Sequence, residues 1–219
     1  MTEQTNKQQK GIKYTVIAAV AFMVIVLSLF MNKILQPRIL SDQQLRANGA
    51  IEFDTARIIR DFNLVDQNNQ PYTLEALKGK WTLIYFGFTH CPDICPTTLM
   101  QLSKVVNSLE PEIKVNTQVL MVTADPARDT PEKLKIYIEH FNKDFNAITG
   151  EFLAVKRLAG DLNVAFNKVM LDNGDYTIDH SGNLILINPH GHYHGFFKPP
   201  FELAKLKLTY QSIVSSAEL

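Results

Sequence analysis

The chain contains only two cysteines, Cys91 and Cys95, which lie in the stretch HCPDICP (90–96). Two thiols at this spacing can form one disulfide, act as a redox couple or bind a soft metal ion. A purely structural disulfide is the weakest of these interpretations, because a bridge that closes so short a loop constrains little of the unfolded chain. The pair therefore predicts either a thiol–disulfide couple or a metal site.

Histidine distinguishes these two alternatives, because Cu(I) readily binds two thiolates together with an imidazole, whereas a dithiol couple needs no third ligand. We expect the side chain of His90 to point away from Cys91, and we expect His140 to lie on a helix surface. His180 lies in a polar stretch that is predicted to be a loop, and we expect this loop to fold against the helix after the cysteines. His180 is thus the candidate third ligand, with a hydrogen-bonded loop histidine as the alternative.

Three further histidines, His190, His192 and His194, alternate along the chain. An extended backbone would place their imidazoles on one face, as a second metal site requires. The segment NPHG (188–191) is, however, a turn sequence. The alternation therefore leaves two interpretations open, a metal site or a hairpin turn with polar tips, and the turn is favoured.

The cysteines are predicted to lie between a buried strand and a helix. The run WTLIYFGF (81–88) is apolar and aromatic, which is typical of a strand buried on both faces. From Pro96 to Leu109 the apolar residues follow helical spacing, and proline is suited to the first helical turn. A thiol beside a helix N-terminus faces free amides and the positive end of the dipole, so we expect lowered thiol pKa values there. A spacing of four would also bring both side chains to one helical face if the turn is regular.

The rest of the chain after residue 50 alternates strands and helices. We predict a strand at 118–122, a helix capped by Thr130 and running to Phe141, a helix at 152–162, a hairpin of 183–188 with 193–197, and a final helix from Leu203 to Ile213. This order predicts an α/β fold, a thioredoxin-like domain with a mixed sheet. Fold class by itself does not give function.

An uncharged apolar run, Thr15–Met31, precedes this domain and has the length of a membrane span. No small-residue cleavage pattern follows it, so we expect a retained anchor instead of a cleaved signal. The predicted organisation is a cytoplasmic tail (1–14), a transmembrane helix (15–31), a tether (32–50) and a soluble domain (51–219). Lysines before the run place the short N-terminus in the cytoplasm. The expected location is the bacterial inner (cell) membrane, single-pass, with the domain facing the periplasm.

Charge argues against nucleic acid as a partner. Lys+Arg and Asp+Glu are 22 each in the 219 residues, so the formal net charge is zero. A general nucleic-acid binder carries a basic excess instead.

Three motifs together resemble the Sco/SenC proteins, which are membrane-anchored copper chaperones that assist cytochrome c oxidase assembly. GFTHCPDICP (87–96) is similar to the copper-binding loop of that family, DPARDTP (125–131) to its DPxRDTP segment, and DHS (179–181) to its ligand-histidine motif. The resemblance extends from about Phe62 to Tyr210. It implies that Cys91, Cys95 and His180 bind copper as Cu(I) and Cu(II), and that Cys91 and Cys95 also form a redox-active disulfide.

The resemblance also implies partners and a role. The chain would be a metallochaperone, not an enzyme in the turnover sense, that assists assembly of the copper centre of cytochrome c oxidase subunit II and exchanges copper with other copper-delivery proteins. The alternative is a membrane-tethered thiol–disulfide oxidoreductase that reduces the target cysteines of the oxidase, with Cys91 as nucleophile and Cys95 as resolving thiol. Asp125 and Arg128 are interpreted as a supporting loop held by a salt bridge and by the cap at Thr130.

Overall fold

The structure is a computed structural model that describes residues 2–35, 38–172 and 174–217. The chain divides into two compact units, Met1–Arg38 and Ile39–Leu219. The first contains a helix, α1 (Thr2–Leu35), whose apolar part Lys13–Met31 has a mean hydropathy of 2.5 and no buried residues. This part is long and apolar enough to cross a membrane, and an N-terminal signal sequence has the same properties.

The second unit contains the other helices and the strands. The helices are α2 (Asp42–Ala47), α3 (Ile94–Ser108), α4 (Pro111–Val115), α5 (Pro131–Phe141), α6 (Phe152–Asp161) and α7 (Leu203–Ser216), with a 3₁₀ helix at Leu74–Leu77. The strands are β1 (Ala50–Arg57), β2 (Asn63–Asp66), β3 (Pro71–Thr73), β4 (Trp81–Gly87), β5 (Thr117–Thr123), β6 (Asn146–Thr149), β7 (Phe166–Met170), β8 (Tyr176–His180), β9 (Leu184–Ile187) and β10 (Tyr193–Phe197).

Eight of these strands form one mixed sheet in the order β1-β10-β9-β4-β5-β6-β2-β3. Strands β4, β5 and β6 pair in parallel, and the remaining pairs are antiparallel. All seven residues of β4 are buried, so both faces of this strand are covered, and β4 has hydrogen-bonded neighbours on both edges. The predicted mixed α/β architecture is confirmed.

A separate two-stranded sheet, β7–β8, was not predicted. Four of the five residues of β7 are exposed, so the segment lacks the apolar alternation by which a strand is recognised in a sequence. This hairpin carries His180 at the end of β8, opposite Phe166. His180 therefore lies at the end of a strand, and not in a loop as expected.

The structure also differs from the predicted tether at 32–50. Residues from Ile39 onward belong to the folded unit, and α2 lies within the segment that was expected to be a linker. Leu40 and Leu45 are buried, and the amide of Leu40 donates to Ser212 Oγ in α7 at 2.7 Å. Sequence reasoning missed this because a six-residue helix with one buried leucine shows no visible periodicity.

Candidate metal centre

The two cysteines lie where β4 passes into α3. Helix α3 begins at Ile94, two residues earlier than predicted, so Cys95 is in its first turn while Cys91 lies in the preceding loop. The two side chains are therefore not neighbours on a regular helical face, as their spacing had suggested. Instead, the backbone amide of Cys95 donates to Cys91 Sγ at 3.4 Å, so the N-terminus of the helix does contact one sulfur. Both thiols are free, Cys91 half-buried and Cys95 buried.

Burial raises the pKa of the Cys95 thiol to about 12, from an ordinary value of 9.0. The side chain is 0% exposed, and a thiolate there would lose its hydration. The Tyr85 hydroxyl, 3.6 Å from Cys95 Sγ, donates to the sulfur and opposes the rise, but burial is the larger effect. The expectation of a lowered pKa was therefore wrong for Cys95, because the helix terminus does not compensate for complete burial.

His180 contacts Cys95 from the β7–β8 hairpin. Its Nε2 lies 3.7 Å from Cys95 Sγ. Its Nδ1 lies 3.2 Å from the carbonyl oxygen of Ser181, which can only accept, so Nδ1 carries the proton and Nε2 has the free lone pair of the neutral ring. Burial lowers the pKa of His180, which favours that neutral form. The Tyr85 and Phe88 rings pack edge-on against the imidazole at centroid distances of 5.9 and 6.1 Å.

These groups fit a soft metal ion by their chemistry. Two sulfurs and a neutral imidazole nitrogen are a donor set that suits Cu(I), and the imidazole also suits Cu(II). Within the described ranges, no three His, Cys, Asp or Glu side chains are already arranged to hold a metal ion together. Binding by all three groups therefore needs a side-chain adjustment, for which the half-buried Cys91 in its loop has the most freedom.

The remaining histidines are not part of this cluster. His90 is directed toward its neighbours Thr89 and Asp129, with Nδ1 3.0 Å from Thr89 Oγ1. His140 is exposed on α5, as expected. The cysteines follow Gly87 at one end of β4, and the other three histidines lie near the opposite end. There Trp81 contacts the ring of His194 and lines a cavity together with His190, and His192 lies next to His190.

A fully buried carboxylate, Asp129, holds the loop that leads to Cys91. It accepts from the Thr89 amide at 3.1 Å, from Thr89 Oγ1 at 2.6 Å and from Thr123 Oγ1 at 2.6 Å. Sequence reasoning did not assign it a role, although its position in the DPARDTP segment was a signal. A buried carboxylate with three donors is costly to disturb, so Asp129 fixes where the loop starts.

The neighbouring Arg128 connects the same segment to the hairpin that carries His180. Its guanidinium pairs with Asp125, donates to the Tyr176 carbonyl oxygen at 3.1 Å and lies 3.7 Å from the centre of the Tyr176 ring. The Tyr176 hydroxyl donates to Asp125 at 3.0 Å. The predicted salt bridge is thus present, and Thr130 caps α5 by accepting from the Lys133 amide. The role of Tyr176 was missed because it lies 48 residues from Arg128.

Comparison with known proteins assigns this arrangement to a family. The family model SCO1/SenC matches residues 52–214. A putative copper-binding protein of Stutzerimonas stutzeri is 41% identical over 160 residues, which are 73% of this chain and 78% of that protein. The structure of Arabidopsis thaliana ScoI with copper bound is similar with a TM-score of 0.68 and 28% identity, over 74% of this chain and 99% of that one. Bradyrhizobium japonicum ScoI with copper bound gives a TM-score of 0.62 and 33% identity over 74% and 99%. The predicted thioredoxin-like Sco fold is confirmed, and the chain belongs to the SCO1/SenC family.

Proposed function

We propose that this protein is a copper carrier that binds Cu(I) and Cu(II) through Cys91, Cys95 and His180 and supplies copper to the centre of cytochrome c oxidase subunit II. The observation that carries the proposal is the contact of 3.7 Å between Cys95 Sγ and His180 Nε2, which lie 85 residues apart in the chain. Membership of a family whose solved members include copper-bound structures supports the metal, and the same family relationship supports a role in oxidase assembly.

The donor set explains how the ion could be both held and released. Two thiolates and a neutral imidazole give Cu(I) a site of net charge −1, with three ligands and room for one more. A ligand from the acceptor protein can therefore join before a ligand of the carrier leaves, so copper passes by exchange without becoming free. Because Cys95 is protonated in the metal-free protein, binding must release its proton.

The N-terminal helix α1 supports a membrane location. We propose that it is retained as a single-pass anchor in a bacterial inner membrane, with the domain in the periplasm, where other copper-delivery proteins would load it. N-terminal sequencing of the protein from the membrane fraction tests the anchor. Recovery of a soluble form that begins near residue 32 would instead identify α1 as a cleaved signal.

Removal of His180 tests the copper site. The change His180→Ala leaves both sulfurs, so Cu(I) affinity should fall only in part, whereas Cu(II), which prefers nitrogen and oxygen donors, should lose much more affinity. His140→Ala is the matched control, because His140 is an exposed histidine outside the cluster. Each ion is measured separately, Cu(I) by competition with a chromophoric chelator and Cu(II) by its electron paramagnetic resonance spectrum.

The cysteine variants complete the test. Cys91→Ser and Cys95→Ser should each lower Cu(I) affinity so far that one copper per chain is no longer retained, while weak binding through the remaining sulfur and His180 stays measurable by competition. Cu(I) affinity near that of the unchanged protein in either variant would disprove the two-sulfur site. Unchanged Cu(II) affinity in His180→Ala would remove His180 from the ligand set.

A second candidate function, thiol–disulfide reduction, is favoured by the unequal exposure of the two cysteines. Cys91 is half-buried and Cys95 is buried, as expected of an attacking and a resolving thiol. In that reaction the Cys91 thiolate attacks a target disulfide and releases one target thiolate. Cys95 then attacks the mixed disulfide, which leaves a Cys91–Cys95 bridge and a second reduced target thiol. The effect of His180→Ala in cells distinguishes the two functions. It would impair oxidase assembly if copper delivery is the main role, and it would leave oxidase assembly nearly normal if thiol–disulfide reduction is the main role.

A further inference from the structure

The histidine-rich turn at the opposite end of β4 has a fixed geometry of its own. Asn188 Oδ1 accepts from the amides of His190 and His192 at 3.1 and 3.0 Å, and the Asn188 amide donates to the His192 carbonyl oxygen at 3.0 Å. Between the two histidines lies Gly191 with φ +78°, a conformation that L side chains rarely adopt. The backbone thus holds both imidazoles on one tight turn, with ring centroids 6.1 Å apart.

A cavity of about 290 Å³ adjoins this turn. Its wall includes Trp81, Asn188, His190 and His194. The Nε2 of His194 lies 2.9 Å from Glu52 Oε1, and its Nδ1 is buried without a hydrogen-bond partner among the described residues. A buried polar atom without a hydrogen-bond partner is uncommon, and a bound water molecule or ion is one of the accepted explanations for it.

We propose that this turn is a second copper site, which binds Cu(II) through the imidazoles of His190 and His192. The two rings differ by 39° in plane, and His190 is exposed, so a modest rotation of the side chains can direct one nitrogen of each toward a shared ion. No third such side chain is arranged to join them in the part of the chain that the structure describes. Water would complete the coordination, and the cavity beside His190 provides space for it.

The donor set selects the ion. Imidazole nitrogens suit Cu(II), Ni(II) and Zn(II), and among first-row divalent ions Cu(II) binds such a site most tightly. The cavity beside the turn is lined by no methionine or cysteine among the described residues, and both cysteines of the chain lie beyond the other end of β4. We therefore expect Cu(II) and not Cu(I) at the turn, in contrast to the sulfur-containing site.

The two sites are independent. Trp81, at one end of β4, lines the cavity. Gly87, at the other end, lies beside Cys95, because a Cβ added to this glycine would be 3.2 Å from Cys95 Sγ. Seven residues of extended strand separate these ends by roughly 20 Å. One ion cannot contact both sites, so the turn can hold a copper ion whether or not the cysteines are present.

The experiment uses the full-length protein in detergent with Cys91→Ser, Cys95→Ser and His180→Ala combined, so that the outcome does not depend on the proposed function. Cu(II) is added to this variant, and bound metal per chain is measured after equilibrium dialysis. We expect one Cu(II) per chain with nitrogen couplings in the electron paramagnetic resonance spectrum. Loss of a residue that only hydrogen-bonds a metal ligand typically weakens metal binding by about 10–100-fold, and loss of a ligand itself should cost at least as much. Further replacement of His190 or His192 by alanine should therefore weaken binding at least about tenfold, and His140→Ala should not.

The single tryptophan gives a second readout that reports location. Trp81 lines the cavity and is the only tryptophan in the chain, so Cu(II) at the turn should strongly quench its fluorescence. Quenching should disappear with His190→Ala and His192→Ala, while circular dichroism shows that the variants remain folded. The proposal is overturned if the triple variant binds no Cu(II), or if binding and quenching persist after His190→Ala or His192→Ala is added to it.

Discussion

Copper binding should be coupled to loss of a proton from Cys95, and pH is the perturbation that reveals the coupling. Burial raises the pKa of this thiol to about 12. At pH 7, five pH units lower, only about 10⁻⁵ of the metal-free protein carries the thiolate, which corresponds to a cost of about 7 kcal/mol. Because only the thiolate binds metal, each unit decrease in pH should lower the apparent Cu(I) affinity about tenfold through this one group.

The assay is competition for Cu(I) with a chromophoric chelator at pH 6, 7 and 8, after correction for protonation of the chelator. For the unchanged protein we expect log affinity to rise with pH with a slope of at least one, or about a hundredfold in total from this group. Cys95→Ser should reduce the slope by one. Tyr85→Phe is the matched control, because it removes the hydroxyl that donates to Cys95 Sγ and preserves the ring. It should lower the affinity by about 0.5–1.5 kcal/mol without changing the slope.

Equal slopes for the unchanged protein and Cys95→Ser would refute this reasoning. Such a result would mean that Cys95 is already ionised before metal arrives, so that burial does not control its protonation. Isothermal titration calorimetry in buffers of different ionisation enthalpy provides an independent count of the protons released.

Three further predictions concern the surroundings of the site. Gly87→Ala would place a Cβ 2.9 Å from an aromatic ring carbon and 3.2 Å from Cys95 Sγ, so urea denaturation should show a loss of roughly 1–3 kcal/mol; unchanged stability would contradict this packing. In Arg128→Lys, the lysine cannot reproduce the forked contacts of the guanidinium with Asp125 and Tyr176. The hairpin that carries His180 should then be less well positioned, and Cu(II) affinity should fall about tenfold. Unchanged Cu(II) affinity would show that the arginine stabilises only its own loop. Because burial lowers the pKa of His180, the unfolded chain binds a proton on this ring more readily than the folded chain does. The free energy of unfolding of the metal-free protein should therefore fall as pH drops below about 6.5, by at most about 1.4 kcal/mol per pH unit. In thermal denaturation measured at several pH values, His180→Asn should flatten this dependence.

Local features of the sequence were sufficient for the elements that flank the site. The continuous apolar run at 81–88 identified β4, because a strand that is covered on both faces needs no polar alternation. Thr130 followed by Pro131 identified the start of α5, because a cap and its helix are neighbours in the chain. The cysteine spacing and the three motifs were likewise local, so the donor chemistry and the family could be recognised from the residues alone.

Other features depended on groups that are distant in the chain. The sequence predicted a lowered thiol pKa from the helix terminus, but the pKa of Cys95 is controlled by burial among side chains of several elements. Likewise, His180 approaches Cys95 because the β7–β8 hairpin is fixed by Arg128 and Tyr176, 48 residues apart. Desolvation and long-range contacts are set by the whole packed domain, so no local pattern encodes them. The sequence by itself therefore identified the candidate copper ligands, and only the tertiary structure decided which of them meet and in which protonation state.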